Sequence, residues 1–208
     1  MKNVNKATLL TKRRYDRLAL FFDTVEAPIE RLRFASWRTR LRQKIKGPLA
    51  LEAGVGTGKN MPYYPESVRI TGIDISPRML NRARKKSAAL GINAGLFEMD
   101  IQSLAFPDDT FDTVFATFVF CSVPNPILGL AELRRVCKPE GQLLLLEHMR
   151  PGNRVFGLAF DLLNPVIVRL TGADINRRTM DNIQRAGWNI TLEERLSSDI
   201  VRWIEARP

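Results

Sequence analysis

Histidine and cysteine are scarce in this chain: its 208 residues include one histidine and two cysteines. Cys121 and Cys137, in a chain with no secretory signal, predict a reducing compartment and no disulfide framework. No metal site is expected. The opening residues 1–6 lack the apolar stretch of a secretory leader, which predicts a cytoplasmic location. Long hydrophobic runs are missing too. The best, residues 155–170, is interrupted by Asp161, Asn164 and Pro165 and is too short to cross a bilayer. There are no repeats, low-complexity tracts or clear linkers, so the length predicts one domain with a sizeable core.

What is present is an ordinary globular composition, 45% hydrophobic and 26% charged, with an unusual charge distribution. The net charge is +10, and residues 1–46 carry 13 of the 32 basic residues against four of the 22 acidic ones, a local +9. This basic arm is set apart from a domain spanning 47–208. The arm reads as two helices, 8–22 and 28–46, the second opened by Pro28 and stopped by Gly47-Pro48. Phe34, Trp37, Leu41 and Ile45 share one stripe of it at helical spacing. A basic helix with such a stripe suits the inner face of an anionic membrane, making the protein peripheral. A solvated face and a nucleic-acid surface are the alternatives, nucleic acid the less favoured. The stripe can instead pack on the rest of the protein, leaving only the charges for lipid.

The chemistry concentrates further along. Glu52-Ala53-Gly54-Val55-Gly56-Thr57-Gly58 follows a strand at 48–52, and a short helix and a strand at 68–73 lead to Asp74. Glycines at alternate positions let the main chain approach a ligand and adopt positive φ. The acid closing the second strand is placed to accept from both hydroxyls of a ribose. The spacing is not the one that seats a dinucleotide pyrophosphate. Glu52 at the mouth of the turn would repel a diphosphate but suit a ligand ammonium. Together these features fit a nucleoside with an amino-acid tail.

Later landmarks agree. Asp100 follows a strand at 94–99 and can accept from an adenine amino group while Ile101 covers the ring. The turn 106–112 runs into an apolar strand at 113–119, and Lys138-Pro139-Glu140-Gly141 precedes a strand at 142–146. Ser76-Pro77 opens a helix at 77–90 stopped by Gly91, and Asn125-Pro126 opens another ending near Lys138. Helical pieces at 155–170 and 178–186 lead to strands at 188–195 and 200–205.

These residues resemble the class I S-adenosylmethionine-dependent methyltransferases, from about Tyr15 to Trp188. Tyr15-Asp16, the segments 52–58 and 72–77, and Arg135-Val136-Cys137-Lys138-Pro139 resemble the branch of quinone C-methyltransferases and bacterial phospholipid N-methyltransferases. Phe120-Cys121-Ser122-Val123-Pro124, Glu147-His148 and the segment 176–179 also resemble membrane-associated thiol methyltransferases. The resemblance, with alternating strands and helices, implies an α/β fold: a doubly wound, mostly parallel seven-stranded sheet, helices on both faces, and an antiparallel C-terminal edge hairpin. It implies S-adenosyl-L-methionine as cofactor, with S-adenosyl-L-homocysteine as product. The expected cradle is Tyr15, Glu52, Gly54, Gly56, Thr57, Gly58, Asp74, Ile75 and Met79, closed by Asp100, Ile101, Thr117 and Ser122.

For catalysis the candidates are His148 and Tyr15. An unperturbed histidine, with pKa about 6.5, suits proton removal near neutral pH. Equally, His148 can serve only to bond a loop, and Glu147 can orient it, act as a helix-contacting structural group or bind the substrate. Tyr15 is read as a lid over the cofactor, with simple docking of an amphipathic helix as the alternative. Cys121 is expected to be a small filler, while Arg177 and Arg178 either bind a substrate anion or begin a solvated helix. Tyr15, Phe22 and Trp37 are candidates for cation–π contact with a methylated ammonium. The expected function is N-methylation of a phospholipid headgroup of the phosphatidylethanolamine type. C- or S-methylation of a quinone precursor or thiol, and a non-catalytic cofactor-binding protein that contacts RNA or a partner, are the alternatives.

Overall fold

Seven strands lie in the order β3-β2-β1-β4-β5-β7-β6. They are β1 (Leu49–Ala53), β2 (Arg69–Asp74), β3 (Gly95–Glu98), β4 (Phe111–Thr117), β5 (Cys137–His148), β6 (Asn189–Ser197) and β7 (Val201–Arg207). The structure, a computed structural model, describes residues 6–19, 34–197 and 200–208. Strands β1 to β5 are parallel, and β7 runs antiparallel to both β5 and β6. The C-terminal hairpin therefore folds back, so that its second strand lies inside its first. The segment 138–141, expected to precede the strand at 142–146, lies within β5, where the register against β4 shifts between Phe111 and Thr113.

The sheet buries both faces, which is why its strands read as unbroken apolar runs. Val114, Ala116, Leu143 and Leu145 pack on one face with Leu130, Leu133 and Ile183. Those partners come from α4 (Pro126–Val136) and α6 (Thr179–Arg185). Phe115, Leu144 and Leu146 face the other way, onto Leu41 and Ile45 of the segment that holds α2 (Ala35–Lys44). Phe34, Leu41 and Ile45 are buried and Trp37 packs beside them, so the apolar stripe docks on the sheet and does not face lipid. The beginning of that helix, with Pro28, Arg31 and Arg33, lies outside the described residues, as does Phe22.

Local signals explain the helix starts. Ser76 Oγ accepts from Met79 N at 3.1 Å ahead of Pro77, opening α3 (Pro77–Ala89). Asn125 Oδ1 accepts from Leu128 N at 3.1 Å to open α4. Asn153 caps α5 (Arg154–Thr171), which passes through Pro165 and ends on Gly172 at φ 83°. The remaining helix, α1 (Lys6–Leu18), crosses above the strand ends. No helix among the described residues is long and apolar enough to cross a membrane.

Candidate active site

A cavity of about 500 Å³ opens beyond the C-terminal ends of β1, β2, β4 and β5. This is where an open parallel sheet leaves a crevice for ligands. The turn after β1 forms its floor. Gly54 and Val55 N donate to Ile73 O at 2.8 and 2.9 Å, tying the turn to β2. Gly54 has φ 71°, and a Cβ there would stand 2.4 Å from Val119 Cγ2. Gly56 has φ 55°, and a Cβ there would meet only open space. Asp74 is held on both oxygens by main chain: Oδ2 accepts from Gly56 N and Oδ1 from Ser76 N, each at 2.8 Å. Burial raises its pKa to about 6, against the lowering effect of those N–H groups.

Of the residues expected in the cradle, all line the cavity except Gly58, which turns the chain behind it at φ 80°. A 3-10 turn at Met61–Tyr63 stands where a short helix was expected. Glu52 is 1% exposed, and its Oε1 accepts from Asn60 Nδ2 at 2.7 Å while Oε2 accepts from Tyr64 Oη. Arg38 Nη1 donates to Asn60 Oδ1 and, at 3.5 Å, to Thr117 Oγ1. Burial pushes Glu52 up to about 7, and the Tyr64 and Asn60 hydrogen bonds and the Arg38 charge pull the other way. Asp100 Oδ1 accepts from Gln102 N at 2.9 Å, leaving Asp100 and Ile101 on the wall.

Helix α1 closes the top. Tyr15 Oη donates to Ser122 Oγ at 2.9 Å, and Ser76 Oγ donates to Asp16 Oδ1 at 2.6 Å. Burial holds the Tyr15 phenol well above its ordinary pKa, so it stays protonated.

The fourth strand ends two residues earlier than expected because Phe118 takes φ 58°. A bulky residue in the left-handed region is strained and concentrates at functional sites. The twist stacks Phe118 on His148, with centroids 4.4 Å apart, and sets it 4.9 Å from Phe34. Phe34, Phe118 and His148 all line the cavity, whereas Trp37 stacks behind Phe34. Burial lowers the His148 pKa to about 4. The expectation of a histidine titrating near neutrality is thus not met, because the ring is largely removed from water. Glu147 does not orient it. Its Oε1 accepts from Val119 N at 2.8 Å and Phe120 N at 3.2 Å, bracing the turn, and burial raises its pKa to about 8.

Cys121 lies on the wall with its thiol pushed up to about 12 by burial, which suits a filler. Arg177 Nη2 donates to Val123 O at 2.9 Å and Nε lies 3.1 Å from Asp174, so it is used inside the fold; neither it nor Arg178 lines the cavity. Arg38, Asn60, Tyr64, Phe34 and Phe118 were not singled out from sequence as site residues. Arg38 looked like one more charge on a basic helix, and nothing local marks its burial.

The sequence pattern of a family described as "Methyltransferase domain" matches residues 51–145. A phosphatidylethanolamine N-methyltransferase of Cereibacter sphaeroides is 42% identical over 113 residues, covering 53% of this chain and 56% of that protein. The match thus spans little more than half of that relative's length. A demethylmenaquinone methyltransferase of Staphylococcus aureus strain JH9 is 30% identical over 171 residues, 77% of this chain and 70% of the relative. An S-adenosylmethionine-dependent methyltransferase of Thermotoga maritima shares the fold at a TM-score of 0.70 and 20% identity, over 94% of this chain and 98% of that one.

Proposed function

Since the chain belongs to the S-adenosylmethionine-dependent methyltransferases, we propose that it N-methylates the amine of an ethanolamine-type phospholipid headgroup at a membrane surface. The observation that carries this reading is the aromatic wall of Phe34, Phe118 and His148 beside the cofactor cradle. Aromatic faces attract an ammonium, and more strongly where water is excluded. The similarity to a phosphatidylethanolamine N-methyltransferase supports the same choice. The excess charge of residues 1–46 favours work at an anionic surface.

The site fits S-adenosylmethionine. Gly56 leaves open space where a side chain would intrude, and Asp74 closes β2 with its carboxylate on the cavity wall. Asp74 would accept from the ribose hydroxyls, Asp100 and Ile101 would hold the adenine, and Glu52 would face the amino-acid end. When bound, the cofactor supplies an electrophilic methyl group on a sulfonium sulfur. Tyr15 and Asp16 hold α1 across the opening and exclude water, while Phe34, Phe118 and His148 orient the acceptor. Alignment of this kind can supply several kcal/mol of the barrier. The acceptor amine must be neutral to attack. With its pKa at about 4, His148 stays unprotonated near neutral pH and accepts a proton poorly, so the ammonium proton leaves to water before transfer.

A second reading, C-methylation of a quinone precursor, is favoured by the longer match to a demethylmenaquinone methyltransferase. The same stacked rings would hold a flat ring. Incubation with labelled methyl donor and a panel of ethanolamine lipid, demethylated quinol and thiol separates the readings. Label on the lipid amine is expected; label on quinol carbon or thiol sulfur alone would overturn the proposal.

A further inference from the structure

Helix α5 presents a face that the described residues do not cover. Val155, Phe156, Leu158, Leu162, Leu163 and Val166 are all exposed, with Leu162 at 79% and Val155 at 74%. At 100° per residue these six fall on one half of the helix. The opposite half carries the helix's contacts with the rest of the fold. Asp161, the helix's one acid, pairs with Arg150 at 2.8 Å, Asn164 Oδ1 accepts from Ile175 N at 2.9 Å, and Ile167 lines the reaction cavity. The exposed basic residues of the helix are Arg154 and Arg169, one near each end. A continuous apolar face of this kind marks an interaction surface.

We propose that α5 is a membrane-docking helix, lying in the plane of an anionic bilayer with this apolar face inserted. Three observations favour lipid over a second copy or another protein. The helix's one acid is paired with Arg150, its exposed basic residues are Arg154 and Arg169 and the chain carries +10, so a second copy would bring like charge to the same face, whereas anionic headgroups would meet Arg154 and Arg169. The helix has 18 residues, about 27 Å at 1.5 Å per residue, yet does not qualify as a span, and an apolar face with basic flanks is the form that lies on a bilayer. Its inner side carries Ile167, and the chain continues into Ala173 and Ile175 on the same cavity wall. Docking by α5 therefore sets the cavity mouth against the lipid surface. Arg14 of α1 packs against Gly172 at the end of α5, adding a further positive side chain there. This deepens the reading of a lipid acceptor and moves the apolar anchor from residues 1–46, whose stripe is buried, to α5.

The test is vesicle flotation of the full chain without methyl donor, using phosphatidylcholine alone or mixed with phosphatidylglycerol. Neither lipid carries an ethanolamine amine, so docking is read separately from methylation. The wild type is expected to float with the anionic vesicles and to release as salt rises. Val155→Glu with Leu162→Glu should lower the bound fraction at least tenfold while circular dichroism and S-adenosylhomocysteine affinity stay unchanged, since both side chains point away from the cavity. Arg154→Glu with Arg169→Glu should weaken binding to anionic vesicles as well. Undiminished flotation of the Val155/Leu162 variant would overturn the proposal. So would a wild type that ignores vesicles but forms a dimer, or a complex with another protein, that the glutamates dissolve. If docking holds and ethanolamine lipid is not methylated, the α5 proposal stands and the acceptor assignment falls.

Discussion

Tyr15 Oη donates to Ser122 Oγ at 2.9 Å, joining the first helix to the turn after the fourth strand across 107 positions of sequence. With the Ser76–Asp16 bond at 2.6 Å, this latches α1 over the cavity at two points. A net hydrogen bond contributes about 1 kcal/mol. Tyr15→Phe should therefore weaken S-adenosylhomocysteine binding about fivefold and lower the melting temperature by no more than about 2–4 °C. Tyr15→Ala, which also removes the ring from the wall, should lose considerably more. Isothermal calorimetry on both variants checks this, and equal affinity in all three proteins would show that α1 is not a lid.

Asp74 and Glu52 give the cofactor affinity a pH dependence. Their pKa values, about 6 and about 7, lie above the ordinary carboxylate range because both are buried. Hydroxyls and an ammonium need the ionised forms, so binding should expel protons and affinity should fall as pH drops from 7 to 5. Calorimetry at pH 6 in two buffers of different ionisation enthalpy measures the release. Asp74→Asn should cost about 1.5–3 kcal/mol of affinity, the scale for a charged hydrogen bond, and should reduce the proton count. Unchanged release in that variant would remove Asp74 from the cradle.

The parts of the site that could be read from sequence are those whose signals are local. A glycine with positive φ at Gly54 and Gly56, an acid closing a strand at Asp74, and the Ser76-Pro77 cap each announce themselves within a few residues. Phe118 does not. It reads as one more apolar strand residue, and only its left-handed twist against His148 and Phe34 brings it to the cavity. The exposed face of α5 was hidden for a similar reason. Residues 155–170 look like any amphipathic helix until the folded chain shows that the side turned inward is the one with Asp161 and Asn164. The placement of β7 between β5 and β6 likewise depends on pairings no local pattern specifies.

Arg38 separates structural from surface charge on α2. It is 3% exposed and holds Asn60, which in turn holds Glu52. Replacing it by glutamine should leave a buried acceptor short of a partner, at about 1–3 kcal/mol. For a chain of this size that lowers the melting temperature by about 2–12 °C. Cofactor affinity should fall too, because Glu52 loses the nearby cation that favours its ionised form. Arg42, exposed on the same helix, should tolerate glutamine with stability within about 0.5 kcal/mol. A scanning calorimetry comparison decides it; equal melting temperatures would show that the Arg38–Asn60 contact contributes nothing.

His148 allows the two roles of a wall residue and a base to be told apart through both stability and rate. Its folded pKa of about 4 lies below the unfolded value of about 6.5, so between them the unfolded chain binds more protons. Its contribution to stability is therefore complete above pH 6.5 and is lost as pH falls toward 4, by up to about 3 kcal/mol. Glu52, Asp74 and Glu147 act in the opposite sense, since their raised pKa values make the folded form take up protons first as pH falls. Those carboxylates are common to both proteins, so the difference between wild type and His148→Phe isolates the histidine. The variant should lose less melting temperature than wild type between pH 7 and pH 5. Its ring preserves the stack on Phe118, and turnover at pH 8 with saturating donor should stay within about tenfold of wild type, with the same pH dependence in both proteins because the acids of the cradle are common to both. A fall of 10²–10⁴, the range for general acid–base catalysis, with cofactor affinity and melting temperature intact, would make His148 the base after all.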